Sequence, residues 1–287
     1  MLEAFHFEFM RNALMAGILT SVICGVIGTL IVVNRLVFLS GGVAHSAYGG
    51  IGLAFFFGIP YMLGAVGFAF LAAMLMAAVS MKSKQRADTI IGVIWAVGMA
   101  SGVLLLDMTP GYNVDLMSYL FGSILSVPFS DLVTMLIIGS IILLVVTYYF
   151  RDLLIMSYDE EFARVRGVPV RGLYYLLIGI VSITVVMVVQ VVGLILVIAL
   201  LTIPPYIAEK YTKSLFQMMM LSCALGMVFT IGGLWASYTY DMTSGAVIIF
   251  FAGIAFFLSL VIDKLLLLRK KKIMSLAHQE EINAMRS

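Results

Sequence analysis

One imidazole stands in the chemically richest stretch of the chain, Leu39-Ser-Gly-Gly-Val-Ala-His-Ser-Ala-Tyr-Gly-Gly-Ile-Gly-Leu53. Placed on a helix, Gly41, His45, Gly49 and Gly52 share one face at spacings of four, four and three. Gly42, Ser46 and Gly50 form the neighbouring stripe. Small residues at these spacings let a second helix backbone approach closely in lipid. An ionisable group in such a helix is costly and faces a partner or a wet path. Gly41, Gly42, Ser46, Gly49 and Gly50 are therefore expected to pack helices, and His45 to be a metal-type ligand; a structural imidazole bonded to a neighbouring backbone is the alternative.

Acidic and polar residues outside this stretch are sparser. Asp115 and Asp241 fall at predicted span ends, where an acid caps a helix or draws cations to a mouth. Asp88 reads as the N-cap of a span, Gln190 as a residue of a tight reversal, and Glu209 as the partner of Lys210 or of a docking protein. His6 is at most a weak entry ligand. Twenty methionines are spread over most spans and read as packing residues. Cys24 and Cys223 lie in apolar runs and read as buried thiols.

The elements that position these residues are membrane spans. Of 287 residues, 63% are hydrophobic and 11% charged, with a mean hydropathy of +1.13. Soluble domains carry roughly a quarter charged residues. The chain reads as an all-α polytopic membrane protein forming one permease-type domain over residues 1–287, with no soluble domain. A net charge of +2 is too small to suggest a nucleic-acid partner, and none is expected. The N-terminal apolar run reads as a first span and not a removable signal. At about 20 residues per crossing, spans are expected near 12–33, 36–58, 61–81, 88–107, 129–150, 173–189, 191–206, 215–238 and 243–268. That makes nine, or eight if two merge. Residues 116–126 are too short to cross and suggest a re-entrant half-helix. With the N-terminus outside, every Lys and Arg except Arg11 falls on the inner side, and this bias sets the C-terminus in the cytoplasm. Residues 269–287 read as a basic cytoplasmic tail, whose Arg269-Lys-Lys-Lys272 run reads as a membrane-surface anchor for the last helix.

The inner segment 151–171 is the second informative stretch. Asp159 is placed to cap a short helix, with Glu160 and Glu161 in its first turn and Arg164 and Arg166 near its end. Gly167 and Pro169 stop it. Either a solvated connector or a docking element for a cytoplasmic partner fits this pattern.

Six ordered segments resemble the permease subunits of ABC importers for zinc, manganese or iron. They are Val43-Ala-His-Ser-Ala47, Asp88-Thr-Ile-Ile-Gly-Val-Ile94, the segment from Asp115 to Leu125, the segment from Tyr158 to Pro169, the segment from Val192 to Pro205, and Asp241-Met-Thr-Ser-Gly-Ala246. The resemblance covers about residues 10–265. It implies a homodimer of permease chains in a prokaryotic cell membrane, two cytoplasmic ATPase subunits and an extracytoplasmic metal-binding protein. It implies alternating access driven by ATP hydrolysed in the partner, a transported divalent metal and no cofactor bound by this chain. It assigns His45 to the metal path, with Asp115 and Asp241 as further candidates. Asp159, Glu160, Glu161, Phe162, Arg164, Arg166 and Gly167 are assigned to ATPase coupling. The chain contains no Gly-x-x-x-x-Gly-Lys-Ser/Thr phosphate loop, so it is expected not to be an enzyme. One position departs from the family pattern. Many members carry Asp one helical turn before the motif His; here that residue is Gly41. Loss of the carboxylate favours zinc over manganese as cargo. The rivals are a permease for cobalamin, haem or siderophores, which needs a longer chain, and an ion-coupled carrier, which should show repeated halves and midplane acids.

Overall fold

Long apolar runs, unable to leave backbone groups unpaired in lipid, fold into helices. The computed structural model describes residues 7–82, 86–109, 122 and 124–286, with side chains described to residue 265. Its elements are α1 (Glu8–Val33), α2 (Val37–Phe57), α3 (Tyr61–Lys82), α4 (Ala87–Asp107), a 3-10 turn (Ile124–Ser126), α5 (Phe129–Tyr148), α6 (Phe150–Tyr158), α7 (Glu160–Val165), α8 (Val170–Val192), α9 (Leu194–Tyr211), α10 (Leu215–Tyr240) and α11 (Ser244–Arg286). Among the described residues, eight helices are long and apolar enough to cross a membrane: α1, α3, α4, α5, α8, α9, α10 and the first part of α11. The 21-residue α2 falls outside this set. Its glycines, serines and histidine dilute its apolarity, while its length of about 31 Å is enough to cross.

Contacts at the helix ends show that α2 traverses the bundle. Arg35, just before α2, and Met81, near the end of α3, line one cavity together with Asp88 and Arg164. At the other end, Gln190 Nε2 in α8 donates to the hydroxyl of Tyr61, the first residue of α3, at 2.8 Å. Tyr158 and Phe162 share a second cavity with Lys213. The turns bearing Arg35, Arg164 and Lys213 thus gather at one end, as the charge bias requires. The expected all-helical membrane architecture is what the chain adopts.

The helices form two packed groups. In one, α2 is wedged between α3 and α4 and touches α8; in the other, α1 is surrounded by α9, α10 and α5, with α11 packed on α9 and α10. Cys24 and Cys223 are buried free thiols in the second group. In α9, Pro204 and Pro205 lie inside the helix, which runs on to Tyr211 and does not end near Tyr206. Each proline lacks the N–H that would bond four residues back. The Leu201 carbonyl, left without Pro205 as donor, sits against Gly28 of α1, where a Cβ would stand 2.5 Å from that oxygen.

Other boundaries correct the sequence reading. The reversal after α8 occurs at Gly193, with φ +85°, and Gln190 is still helical. Asp88 lies inside the first turn of α4; Arg86 occupies the N-cap position and the cap makes no side-chain bond. Arg151 is helical, because α6 begins directly after the break at Tyr149. Lys210 is also helical and pairs with Asp263 of α11 at 2.7 Å, not with Glu209. The last helix continues to Arg286. The tail's side chains, the body of the re-entrant segment, Asp115 and His6 lie outside the described residues.

Candidate functional site

The glycine pattern of α2 becomes close helix packing at all but one position. A Cβ at Gly49 would stand 2.6 Å from the Gly98 carbonyl of α4, and one at Gly42 would stand 2.8 Å from Ile91. Gly50 lies directly against Gly64 of α3, and Gly52 against Gly102 of α4. Ser46 is buried on the same side, with its hydroxyl turned back to the Gly42 carbonyl at 2.7 Å. Backbone-to-backbone approach of this kind is what small residues allow in lipid. Gly41 is the exception and corrects the packing assignment. It is buried, yet a Cβ there would meet nothing within 4 Å.

His45 projects from the middle of this helix and is half-buried. Its Nδ1 is buried and has no hydrogen-bond partner. The expected alternative of an imidazole tied to a neighbouring backbone is therefore not what this nitrogen does. The indole of Trp95 in α4 stacks on the ring, with centroids 4.3 Å apart and planes 18° apart. Phe38, two turns before His45, meets the same indole at 6.0 Å. Sequence reasoning missed Trp95. Its signal was position, since it directly follows the Asp88-to-Ile94 motif and is one of only two tryptophans.

Asp241 sits far along the chain from this site in the left-handed C-cap of α10, exposed, with φ +53°. No group of three or more His, Cys, Asp or Glu side chains able to hold a metal occurs among the described residues. His45 is thus joined to aromatic and glycine neighbours, and Asp241 to a helix end.

The segment around α7 follows its local chemistry closely. The Asp159 carboxylate accepts from the Phe162 N–H at 2.9 Å and starts α7. Glu160 and Arg164 pair one turn apart. The Arg166 guanidinium lies over the Phe162 ring, 5.4 Å from its centroid. Gly167 ends the helix at φ +80°. Two features escaped the sequence reading. Phe162 and Val165 of α7 are exposed apolar side chains, 50% and 87% accessible, although their spacing of three was readable, and Tyr158 at the end of α6 is 64% accessible. The second is a strut: Asn34, which ends α1, donates from Nδ2 to the Ser157 hydroxyl of α6 at 2.8 Å. A cavity of about 610 Å³ opens beside it, lined by Arg35, Asp88, Glu160 and Arg164 among others.

Comparison with known proteins places this arrangement. The model of the ABC 3 transport family matches residues 6–263. The chain belongs to the ABC 3 transport family. Within it, an uncharacterized membrane protein of Synechocystis sp. is 48% identical over 260 residues, covering 91% of this chain and 92% of its own. The manganese transport system membrane protein MntC of Halalkalibacterium halodurans is 33% identical over 257 residues, covering 90% of this chain and 88% of its own. Among solved structures, PsaBC from Streptococcus pneumoniae in complex with Fab superposes with a TM-score of 0.79 at 32% identity, covering 88% of this chain and 91% of that one. The match confirms the permease resemblance drawn from the motifs. As an ABC 3 member, the chain is a multi-pass transport permease and not the catalytic subunit.

Proposed function

We propose that the chain is the permease subunit of an ATP-driven importer for a divalent transition-metal ion, with His45 as a transient ligand on the path. The observation that carries this reading is an imidazole in the middle of a glycine-packed membrane helix, whose Nδ1 makes no hydrogen bond that would give the ring a structural role. A titratable group is kept at such a position for a passing ion. Two copies of the chain pair around the path and alternate between outward- and inward-facing states. Separate ATPase subunits dock on α6 and α7 through Asp159, Glu160, Glu161, Phe162, Arg164, Arg166 and Gly167. An extracytoplasmic protein delivers the metal. The basic end of the bundle faces the cytoplasm of a prokaryotic cell. Asp115 and Asp241 belong to the outer mouth, where their field attracts cations.

Zinc is the favoured cargo, because an imidazole without a carboxylate one turn away suits a nitrogen-seeking metal. The open space at Gly41 is the site of that missing carboxylate. Manganese is the second reading, favoured by relatives whose names carry that metal. A larger substrate such as cobalamin, haem or a siderophore, and an ion-coupled carrier, are the outcomes against which the proposal is tested.

The test is the elemental content of metal-starved cells holding the wild-type chain, the His45→Ala chain or neither. A deficit in one metal, shared by the variant and the null, is expected and names the cargo. Equal metal contents in all three strains, with the chain and its partners present, would reject metal import.

A further inference from the structure

Histidines that bind metal usually donate their second ring N–H to a carboxylate, a backbone carbonyl or water, which holds the ring in place. His45 lacks this device: its Nδ1 is buried with no partner. Gly41, the nearest position on the same face one turn earlier, supplies no side chain and faces open space. The ring is nonetheless held. Trp95 stacks on it almost in parallel, and Phe38 meets the indole at 6.0 Å, so two rings of α2 contact the α4 indole. Gly98 and Gly102, which follow Trp95 on α4, lock the two helices at this register through Gly49 and Gly52.

We infer that Trp95 is a positioning residue for His45, whose stacked indole replaces the usual hydrogen bond and favours the cation-loaded imidazole. The inference rests on the proposed role of His45. Its chemistry is general. Coordination of a divalent cation withdraws electrons from imidazole and makes the ring cationic in character. The negative face of indole attracts such a ring more strongly than a neutral one. Trp95 therefore stabilises the loaded state more than the empty state and tightens binding without touching the metal.

The chain's two tryptophans make this directly measurable. In the complete transporter reconstituted with its ATPase partner, Trp235→Phe leaves Trp95 as the only indole of the permease, and emission from the partner is subtracted with a Trp95→Phe, Trp235→Phe control. Titration with Zn²⁺ or Mn²⁺ should produce a saturable change in Trp95 emission that His45→Ala abolishes. Trp95→Leu should raise the metal concentration for half-maximal uptake about three- to tenfold, whereas Trp95→Phe, which keeps a stacking ring, should shift it by less than about twofold. Metal retained by the transporter with no change in Trp95 emission would overturn the inference while leaving the permease reading intact. So would equal behaviour of the Leu and Phe variants. Absence of any metal retention or uptake in the wild type would instead reject the permease reading, and with it this one. A Trp95→Leu chain that does not assemble leaves the emission titration to decide.

Discussion

The two polar landmarks of this chain, the His45 helix and the segment around α7, are held in place by opposite means. In α2 there is little for a hydrogen bond to do across helices. Ser46 bonds within its own helix, and position is set by glycine backbones pressed on Gly64, Gly98 and Gly102. In α7, six residues long, almost nothing is buried except Ala163. Its geometry comes from the Asp159 cap, the Glu160–Arg164 pair and the left-handed Gly167. The difference follows the solvent. Lipid offers no hydrophobic force between helices, so close packing of small residues decides their register. At the water boundary, caps and charges decide, and the apolar side chains of α7 stay exposed. The Asn34–Ser157 bond ties the end of α1 to α6, and so links the two regimes.

Three variants would break or sharpen this contrast. The largest effect is expected from Gly50→Val, because the added side chain would drive into the Gly64 backbone and overpacking costs about 1–3 kcal/mol or more. Loss of folded chain in detergent thermal unfolding should follow, and an unchanged melting temperature would refute the packing account. Arg164→Glu with Arg166→Glu should leave the membrane helices folded, since both side chains lie at the surface, but it removes the Glu160–Arg164 pair that shapes α7, and uptake should fall about tenfold relative to ATP hydrolysed. Parallel measurement of uptake and ATPase rate checks this; wild-type coupling would return α7 to a solvated connector. The smallest effect, and of opposite sign, belongs to Gly41→Ala. With nothing within 4 Å to meet its methyl group, it should stabilise α2 by roughly 0.5–1 kcal/mol. A loss of stability there would mean that Gly41 packs like its neighbours.

Much of this was readable in the chain because it is local. The cap at Asp159 and the stop at Gly167 depend on residues within one turn of each other, and both appear where the pattern put them. The α2 stripe was readable as a stripe, but not in its detail. Gly41 and Gly49 are indistinguishable by type and face, and only one has a helix against it. The turn placed at Gln190 fell at Gly193 because α8 keeps its hydrogen bonds until a residue free to adopt φ +85° arrives. The helix expected to end near Tyr206 continues through two prolines to Tyr211, and the Leu201 carbonyl that Pro205 cannot bond lies against Gly28 of α1. The Lys210 partner lay 53 residues away at Asp263, beyond any local rule.

Composition, hydropathy and charge asymmetry by themselves determined that this is a helical membrane chain with its basic turns at one end, because burial in lipid and the cost of moving cations across it act on residue type alone. The ordered motifs determined the family. Tertiary structure alone decided which glycines touch another backbone, that Gly41 opens on space, and that Trp95 lies on His45. Those facts depend on the relative rotation and depth of α2, α3 and α4. Each helix carries several small-residue faces, and only mutual fit among all three selects the faces that meet.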